Sequence, residues 1–244
     1  TVDSIMTENR YQQPGSPVIR LTSLGSGSRG NAALIETAST TILLDCGFST
    51  AELSRRLEKR GCQLSDIHAV IVTHEHLDHV GGVGPLARRT KVPVYMTNGT
   101  HRNLKDANIP DLRLIRSDLS FSVGDFEVLP FTVVHDASEP TQYVFSNRQR
   151  NVGFLTDCGS VTPHILDSLQ GLDALVLEFN HDDEMLRNGP YPAFLKKRIA
   201  GKLGHLSNRQ SVELIRRLDT TRIQHFVGAH LSEENNLPEI VYNE

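Results

Sequence analysis

One short pattern, an apolar strand that ends in Asp-Cys-Gly, occurs twice in the chain. The first copy covers residues 42–47 (ILLDCG) and the second covers residues 154–159 (FLTDCG). Each copy is followed by a segment with helical spacing of apolar residues and then by another apolar strand, at 69–72 and 174–177. The repeat predicts two related β-rich halves that pack face to face, each delivering an Asp to a shared cleft.

Short runs rich in β-branched and aromatic residues recur along the chain and predict strands. They fall at residues 18–24, 32–36, 41–44, 69–72, 92–95, 126–131, 143–145, 152–155, 174–177 and 226–227. Amphipathic helices are predicted at 50–60, 162–169 and 210–218. Many strands with few helices favour layers of helix and sheet over a doubly wound parallel array. We expect a flexible lead or tag remnant at 1–17 and a single domain at 18–244.

Composition is that of an ordinary folded domain. The 244 residues are 22% charged and 38% hydrophobic, which excludes collagen-like, fibrous and disordered chains. Cys46, Cys62 and Cys158 are too few and too scattered for a disulfide framework, so we interpret them as thiols in a reducing compartment. No apolar run approaches the roughly 20 residues that cross a bilayer. We therefore expect a cytoplasmic location and no membrane association.

The net charge of −4 conceals an uneven distribution. Between Arg187 and Arg222, nine basic residues stand against two acidic ones, so this stretch carries +7 and the remainder carries −11. A basic stretch on an acidic chain fits an anionic partner that faces the segment. A solvated helix face is the alternative, and charge alone favours it.

Potential metal ligands are concentrated directly after one predicted strand. The chain holds eleven histidines, and residues 73–79 read THEHLDH, with four potential ligands within six positions. His and Asp side chains are rarely buried unless they are paired or bound to a metal. His74 and His76, two apart in extended backbone, project to the same side, and Asp78 and His79 follow as the chain turns. The cluster predicts a metal site.

Further ligands stand at the ends of later strands. His135, Asp157 and His230 each follow an apolar run, and together with the cluster they complete a dinuclear set. One metal is predicted to bind His74, His76 and His135, the other Asp78, His79 and His230, with Asp157 bridging the two. Imidazole and carboxylate without thiolate suit zinc, manganese or iron.

The spacing His-x-His-x-Asp-His, followed by a later His, Asp and His at strand ends, resembles the metallo-β-lactamase fold. The resemblance covers nearly the whole chain from about Ile19. It implies an α/β four-layer αββα sandwich of two similar halves, which would account for the internal repeat. It also implies that Asp45 supports the histidine loop.

Several separated motifs narrow the resemblance. They are SGSRGN at 26–31, NHD at 180–182, GPYP at 189–192, GHLSN at 204–208 and HLSEENN at 230–236. This series resembles the YycJ/WalJ-like metallohydrolases of bacteria. That resemblance implies a 5′-to-3′ exonuclease activity on double-stranded DNA, so we expect a nucleic acid, DNA in particular, as partner.

The expected chemistry follows from two adjacent metals. Metals about 3.5–4 Å apart lower the pKa of a bridging water toward roughly 7, which makes hydroxide available at neutral pH. We predict that Asp157 orients this nucleophile and that Asp78 belongs to the same catalytic group. His181 and His205 are predicted to contact the scissile phosphate or to protonate the leaving oxygen. The alternative for each is a histidine that binds a loop carbonyl.

Small polar residues in two of these motifs are predicted to contact substrate. Ser207 and Asn208, beside His205, are suitable phosphate donors. The Gly-rich turn at 26–31 fits equally an anion-binding loop beside the cleft and a simple tight turn. Its candidate residues are Ser26, Ser28 and Asn31.

Two other function classes stay open at this point. The same fold permits hydrolysis of a small ester, thioester, lactone, β-lactam or cyclic phosphate, because a fold does not determine a function. The chain is alternatively a metal-binding or regulatory module without catalysis. The oligomeric state, the identity of the metals, and the choice between DNA and RNA are not determined by these patterns.

Overall fold

Two six-stranded sheets contain all the strands of residues 18–244, which are the residues that the computed structural model describes. The predicted lead at 1–17 lies outside the described residues. The first sheet consists of β1 (Arg20–Gly25), β2 (Ala32–Glu36), β3 (Thr41–Leu44), β4 (Ala69–Ile71), β5 (Val94–Thr97) and β6 (Leu112–Ile115). The second consists of β7 (Phe121–Val123), β8 (Phe126–Thr132), β9 (Thr141–Ser146), β10 (Asn151–Leu155), β11 (Ala174–Glu178) and β12 (His225–Ala229).

Each sheet joins an antiparallel part to a parallel part. In the first sheet β1, β2 and β3 pair antiparallel, and β3 to β6 then run parallel in chain order. In the second sheet β7 to β10 pair antiparallel, and β10, β11 and β12 run parallel. The parallel strands end together, since Leu44 pairs with Ile71 and Leu155 with Leu177. Side chains that follow these strands are therefore brought to one edge of each sheet.

Short helices cover the outer face of each sheet and connect the strands. They are α1 (Thr50–Glu58), α2 (Leu77–Val80), α3 (Val83–Thr90), α4 (Asn98–Arg102), α5 (Pro163–Ser168), α6 (Asp183–Asn188), α7 (Ala193–Ile199), α8 (Asn208–Arg217) and α9 (Pro238–Asn243). Side-chain caps begin the three helices that the sequence predicts: Ser49 for α1, Thr162 for α5 and Ser207 for α8. Within residues 18–244, no helix has the length and apolar character that a membrane span requires.

Three apolar cores separate four layers. Alternate residues of β3 show how the layers form: Ile42 and Leu44 face the second sheet, whereas Leu43 faces the helices. The first core packs the first sheet against α1 and α3, the second fills the space between the sheets, and the third packs the second sheet against α5 and α8. This arrangement confirms the predicted αββα sandwich.

The sequence located the inner strands better than the outer ones. Every strand predicted from sequence overlaps an observed strand, with small differences in bounds. The strands β6 and β7 were missed, and both lie at the outer edge of a sheet. Arg113 and Leu114 of β6 are both exposed, so this strand lacks the alternation of a half-buried strand. Strand β7 has only three residues.

The repeated Asp-Cys-Gly pattern is a structural repeat as well. Asp45 and Asp157 both adopt left-handed backbone conformations, with φ of 58° and 52°. The cysteine that follows each is buried, with its Sγ directed at the carbonyl oxygen two residues further on. Burial raises the pKa of both thiols, Cys46 and Cys158, to about 12. Both halves therefore use the same local conformation to bring a buried carboxylate beside the ring of His79.

The glycine of the first repeat provides a test of this packing. A Cβ on Gly47 would overlap the backbone oxygen of Asp78, which is fixed within the histidine loop. We expect Gly47→Ala to lower the free energy of unfolding by about 3 kcal/mol, because backbone cannot move aside as a side chain can. The melting temperature, followed by circular dichroism, should fall by about 6–12 °C.

Gly171→Ala is the matched control. Gly171, unlike Gly47, has a left-handed conformation, with φ of 68°, and nothing lies within 4 Å of the added Cβ. Backbone strain alone predicts a loss of about 1 kcal/mol. Equal stability losses in the two variants would contradict the packing argument.

Candidate metal centre

The predicted ligands converge from four separate strand ends. The loop after β4 carries His74, His76, Asp78 and His79 into the short helix α2, while His135, Asp157 and His230 follow β8, β10 and β12. The structure brings together three-ligand groups whose ligand atoms lie within 4.8 Å of one another. Two of these groups are His74, His76 and His135, and Asp78, His79 and His230. Both correspond to the sets predicted from sequence.

The first group holds nitrogen atoms in a converging arrangement. The Nε2 atom of His74 lies 2.9 Å from the Nδ1 atom of His76. His135 directs Nδ1 to the carbonyl oxygen of Gly204 at 3.1 Å, while its Nε2 is buried and has no hydrogen-bond partner among the described residues. A buried nitrogen without a partner is costly unless a ligand occupies the space beside it. These donors therefore fit a divalent metal.

Asp157 lies between the two groups, because its carboxylate comes within 4.8 Å of ligand atoms of His74 in the first group and of His79 in the second. Its Oδ2 is 3.3 Å from Nε2 of His79, and its Oδ1 is 3.5 Å from Nε2 of His230. The Oδ2 atom is buried without a hydrogen-bond partner among residues 18–244. Burial alone would raise the pKa of Asp157, but the surrounding histidines, His230 and His79 first, hold it well below its usual value. The carboxylate is thus kept ionised, as a metal ligand must be.

Asp45 holds the histidine loop in place. Its Oδ1 accepts a hydrogen bond from the backbone N–H of Thr73 at 2.8 Å, and its Oδ2 accepts from the Thr73 hydroxyl at 2.8 Å. The same Oδ2 lies 2.8 Å from Nδ1 of His79. Burial lowers the pKa of His79, but Asp157 and Asp45 raise it to about 10. A carboxylate on Nδ1 orients the ring so that Nε2 faces the site.

Glu178 is a central residue of the site that the sequence analysis missed. It ends β11, is fully buried, and its Oε1 lies 2.7 Å from Nδ1 of His205 and 3.0 Å from Nδ1 of His230. Its Oε2 accepts backbone N–H groups of Cys158 and Leu206 at 3.0 and 3.1 Å. Burial would raise the pKa of Glu178, but His205 and His230 and their hydrogen bonds lower it to about 2.

A signal for Glu178 was present in the sequence. The apolar run at 174–177 is followed at once by an acidic residue, Glu178. In the same way, the strand that ends at Leu155 is followed after one residue by Asp157. Because parallel neighbours end at the same sheet edge, that position falls beside the ligands. His205 lies there too, and although burial lowers its pKa, Glu178 raises it to about 9.

The Gly-rich loop 26–31 contacts ligand loops from both halves. The hydroxyl of Ser26 accepts the backbone N–H of His230 at 2.8 Å. The buried Asn31 donates from Nδ2 to Oδ2 of Asp78 at 3.1 Å and accepts the N–H of Gly27. Ser28 is exposed and lines the cleft described below. Contact of these residues with a substrate stays a prediction.

His181, Ser207 and Asn208 make their contacts within the protein. Each is only 1% exposed, and none is among the residues that line the cleft. His181 has Nδ1 3.3 Å from the side-chain oxygen of Asn180, Ser207 caps α8, and Asn208 exchanges two amide hydrogen bonds with Asn236. Their predicted contacts with substrate stay predictions.

A cleft of about 380 Å³ opens over the converged ligands. The ligands and proton-bearing side chains on its surface are His76, Asp78, His135, Asp157, His205 and His230. The α7 region contributes Tyr191, Leu195, Arg198 and Ile199 to its lining. A larger cavity of about 780 Å³ opens between β1 and β12, but it contains only His230 of the seven predicted ligands. The smaller cleft is therefore the candidate active site.

Comparison with known proteins finds a matching family model and similar proteins over most of the chain. Residues 40–230 match the family model of the beta-lactamase superfamily domain. The exodeoxyribonuclease YycJ of Bacillus anthracis is 37% identical over 222 residues, 89% of this chain and 84% of that protein. The exodeoxyribonuclease WalJ of Streptococcus pneumoniae is 33% identical over 225 residues, 90% of this chain and 84% of the relative.

Solved structures share the fold at low sequence identity. The metallo-beta-lactamase fold protein YhfI of Bacillus subtilis superposes with a TM-score of 0.72 at 16% identity, covering 93% of this chain and 90% of that one. A diphosphatase of the PhnP family gives a TM-score of 0.67 at 22% identity, covering 90% and 89%.

The contact between Asp45 and His79 predicts an effect on metal affinity. Asp45→Asn replaces an acceptor of three hydrogen bonds with an amide that cannot accept at both ends. We expect metal affinity to fall about 10- to 100-fold, measured by competition with a chelator of known affinity. Asp125→Asn is the control, because Asp125 is an exposed carboxylate held by Thr37 and Ser39. Equal affinities in the two variants would show that Asp45 does not support the ligands.

Proposed function

Because the chain belongs to the metallo-β-lactamase superfamily, and within it resembles the YycJ/WalJ-like exodeoxyribonucleases over most of its length, we propose that it is a dinuclear phosphodiesterase that degrades DNA. Membership in a superfamily of metallohydrolases makes the chain an enzyme of that general class. The specific proposal is an exonuclease that releases nucleotides in the 5′-to-3′ direction from double-stranded DNA.

Two groups of side chains would hold the metals. His74, His76 and His135 form one, Asp78, His79 and His230 form the other, and Asp157 lies between them. Bound divalent metals would supply positive charge for the phosphate oxygens and a nucleophilic water at neutral pH. Zinc and manganese suit these ligands best, and iron is a third option.

The observation that carries the proposal is the position of His205. Its Nδ1 is bound to Glu178, so Nε2 is the ring nitrogen left for a ligand in the cleft. Glu178 also binds Nδ1 of the metal ligand His230. One buried carboxylate therefore sets the distance between a proton donor and the metal group. A module that only stored metal would have no use for such a donor.

Hydrolysis of a phosphodiester needs a proton donor for the leaving group, and His205 is placed to supply one. The leaving group is a sugar hydroxyl, which is a poor leaving group unless it receives a proton. The Glu178 carboxylate favours the protonated imidazole of His205, so the ring is prepared to donate. Arg198 also lines the cleft, with its Nε bound to Asp136 at 2.8 Å. Because Arg198 is paired with Asp136, which also lines the cleft, it offers N–H donors to a phosphate but little net charge.

The decisive experiment pairs metal analysis with cleavage of end-labelled DNA. Duplex and single strands labelled at the 5′ or the 3′ end are incubated with the protein and each divalent metal. We expect early release of the 5′ label, gradual shortening of the 3′-labelled strand, and loss of both on chelation. Rapid hydrolysis of a thioester or a cyclic phosphate, without cleavage of DNA under any metal, would contradict the proposal and favour the small-substrate alternative.

The role of His205 is tested by comparing substrates whose leaving groups differ in their need for a proton. His205→Ala should lower kcat on DNA by about 10²- to 10⁴-fold while the metal content is unchanged. The loss should be far smaller on a p-nitrophenyl phosphodiester, whose leaving group needs no proton. His164→Ala is the control, since His164 is an exposed residue paired with Asp118. Metal loss with unchanged activity per bound metal would instead make His205 a structural residue.

A further inference from the structure

Three large apolar side chains that are exposed to solvent are next in the chain to residues that line the cleft. Phe194 is 74% exposed, Leu203 is 54% exposed and Leu77 is 52% exposed. Single exposed apolar residues are ordinary on protein surfaces. Three of them beside the lining of one polar, ligand-rich cleft are less expected, and we call these three residues the apolar rim.

Phe194 is the aromatic member of this rim. It lies on α7 four residues before Arg198, and residues at this spacing are neighbours on one helix face. Arg198 and Leu195 both line the cleft, so Phe194 stands at its edge and not on the far side of the helix. Its ring forms no aromatic or cation–π contact with other residues of the described range 18–244. Most of the ring surface is therefore open to a ligand.

Positively charged residues are concentrated in the segment that carries this ring. Residues 193–204 contain Lys196, Lys197, Arg198 and Lys202 and no acidic residue. Lys197 and Lys202 are exposed and form no ion pair within the part of the chain that the structure describes. An aromatic ring flanked by unpaired cations is the combination that binds single-stranded nucleic acid, with bases on the ring and phosphates on the cations.

We propose that α7 is a stacking platform for an unpaired strand end, a proposal that rests on the phosphodiesterase function above. The base of a terminal nucleotide stacks on Phe194, and Lys197 and Lys202 bind the adjoining phosphates. Stacking requires an exposed base face, which a paired base inside a duplex does not offer. A terminal base pair exposes only its outer face, whereas an unpaired nucleotide is free to turn a base face onto the ring while its phosphates reach the cations. A strand end that is unpaired or frayed therefore fits the platform better than a closed pair.

The test is a double-mutant cycle, with one change in the protein and one in the DNA, that measures whether the Phe194 ring and the terminal base interact. Fluorescent oligonucleotides with phosphorothioate linkages, which resist hydrolysis, carry either a normal end or an abasic terminal nucleotide. Binding to the metal-loaded wild-type protein and to Phe194→Ala is measured by anisotropy. We expect Phe194→Ala to weaken binding of the normal end roughly 5- to 100-fold, and the abasic end to weaken wild-type binding by a similar factor.

The combined change decides the outcome. If ring and base stack on each other, removing both should cost little more than removing either. If the two losses multiply, they act independently and the platform is wrong. Phe194→Tyr should bind like the wild type, whereas Phe194→Leu should resemble Phe194→Ala. Wild-type affinity in Phe194→Leu would mean that apolar volume, not stacking, is what matters.

Two further DNA-binding measurements test the platform. Tyr242 is a 91% exposed aromatic residue on α9 that does not line the cleft, so Tyr242→Ala should leave DNA affinity unchanged. A duplex whose terminal pair is cross-linked should bind more weakly than the same duplex with an unpaired end. Equal binding of these two duplexes would overturn the preference for an unpaired end.

Failure of the stacking platform and failure of the phosphodiesterase proposal give different experimental results. A coupled cycle without DNA cleavage under any metal leaves the platform standing and defeats the phosphodiesterase proposal. Cleavage of DNA with independent losses in the cycle defeats only the platform. Because Phe194 is mostly exposed, its replacement leaves the core packing intact, and melting curves of each variant should match that of the wild type.

Discussion

The site depends on the pairing of buried carboxylates with histidines. Asp45, Asp157 and Glu178 are each no more than 4% exposed, and a buried carboxylate is strongly unfavourable unless positive charge or hydrogen bonds compensate it. Each one contacts histidines: Asp45 binds His79, Glu178 binds His205 and His230, and Asp157 lies beside His79 and His230. The same contacts that make these charges tolerable orient the rings, so stability and function use the same interactions.

Backbone conformation adds a second requirement. Asp45, Asp157 and His230 all have positive φ, at 58°, 52° and 56°, and such conformations cost of order 1–3 kcal/mol at residues other than glycine. All three follow a parallel strand directly or after one residue; Asp157 and His230 line the cleft, and Asp45 binds the histidine loop behind it. The surrounding hydrogen bonds, such as Ser26 with the N–H of His230, hold these residues in place. Three of the six non-glycine residues with positive φ in the described range therefore belong to this site.

The site divides into a rigid part and a variable part. The ligands and their carboxylate partners follow the ends of strands. The three apolar cores hold these strands in place. Other parts of the cleft lining come from α7 and from the loop at 26–31, which contribute none of the candidate ligands. We therefore expect the sandwich to determine the metal site and the short segments around the cleft to determine the choice of substrate.

The sequence alone determined the two related halves, the positions of the inner strands along the chain and the seven candidate ligands, because strand periodicity and ligand spacing are local properties. It did not identify β6, β7 or the short helices, whose patterns are too brief or lie at a sheet edge. Glu178, the burial of His181 and Asn208, and the place of Phe194 at the cleft were decided only by the tertiary structure. Those features come from parallel strand pairing and from contacts such as Glu178 with His205 and His230, whose partners stand 27 and 52 residues away and share no local pattern.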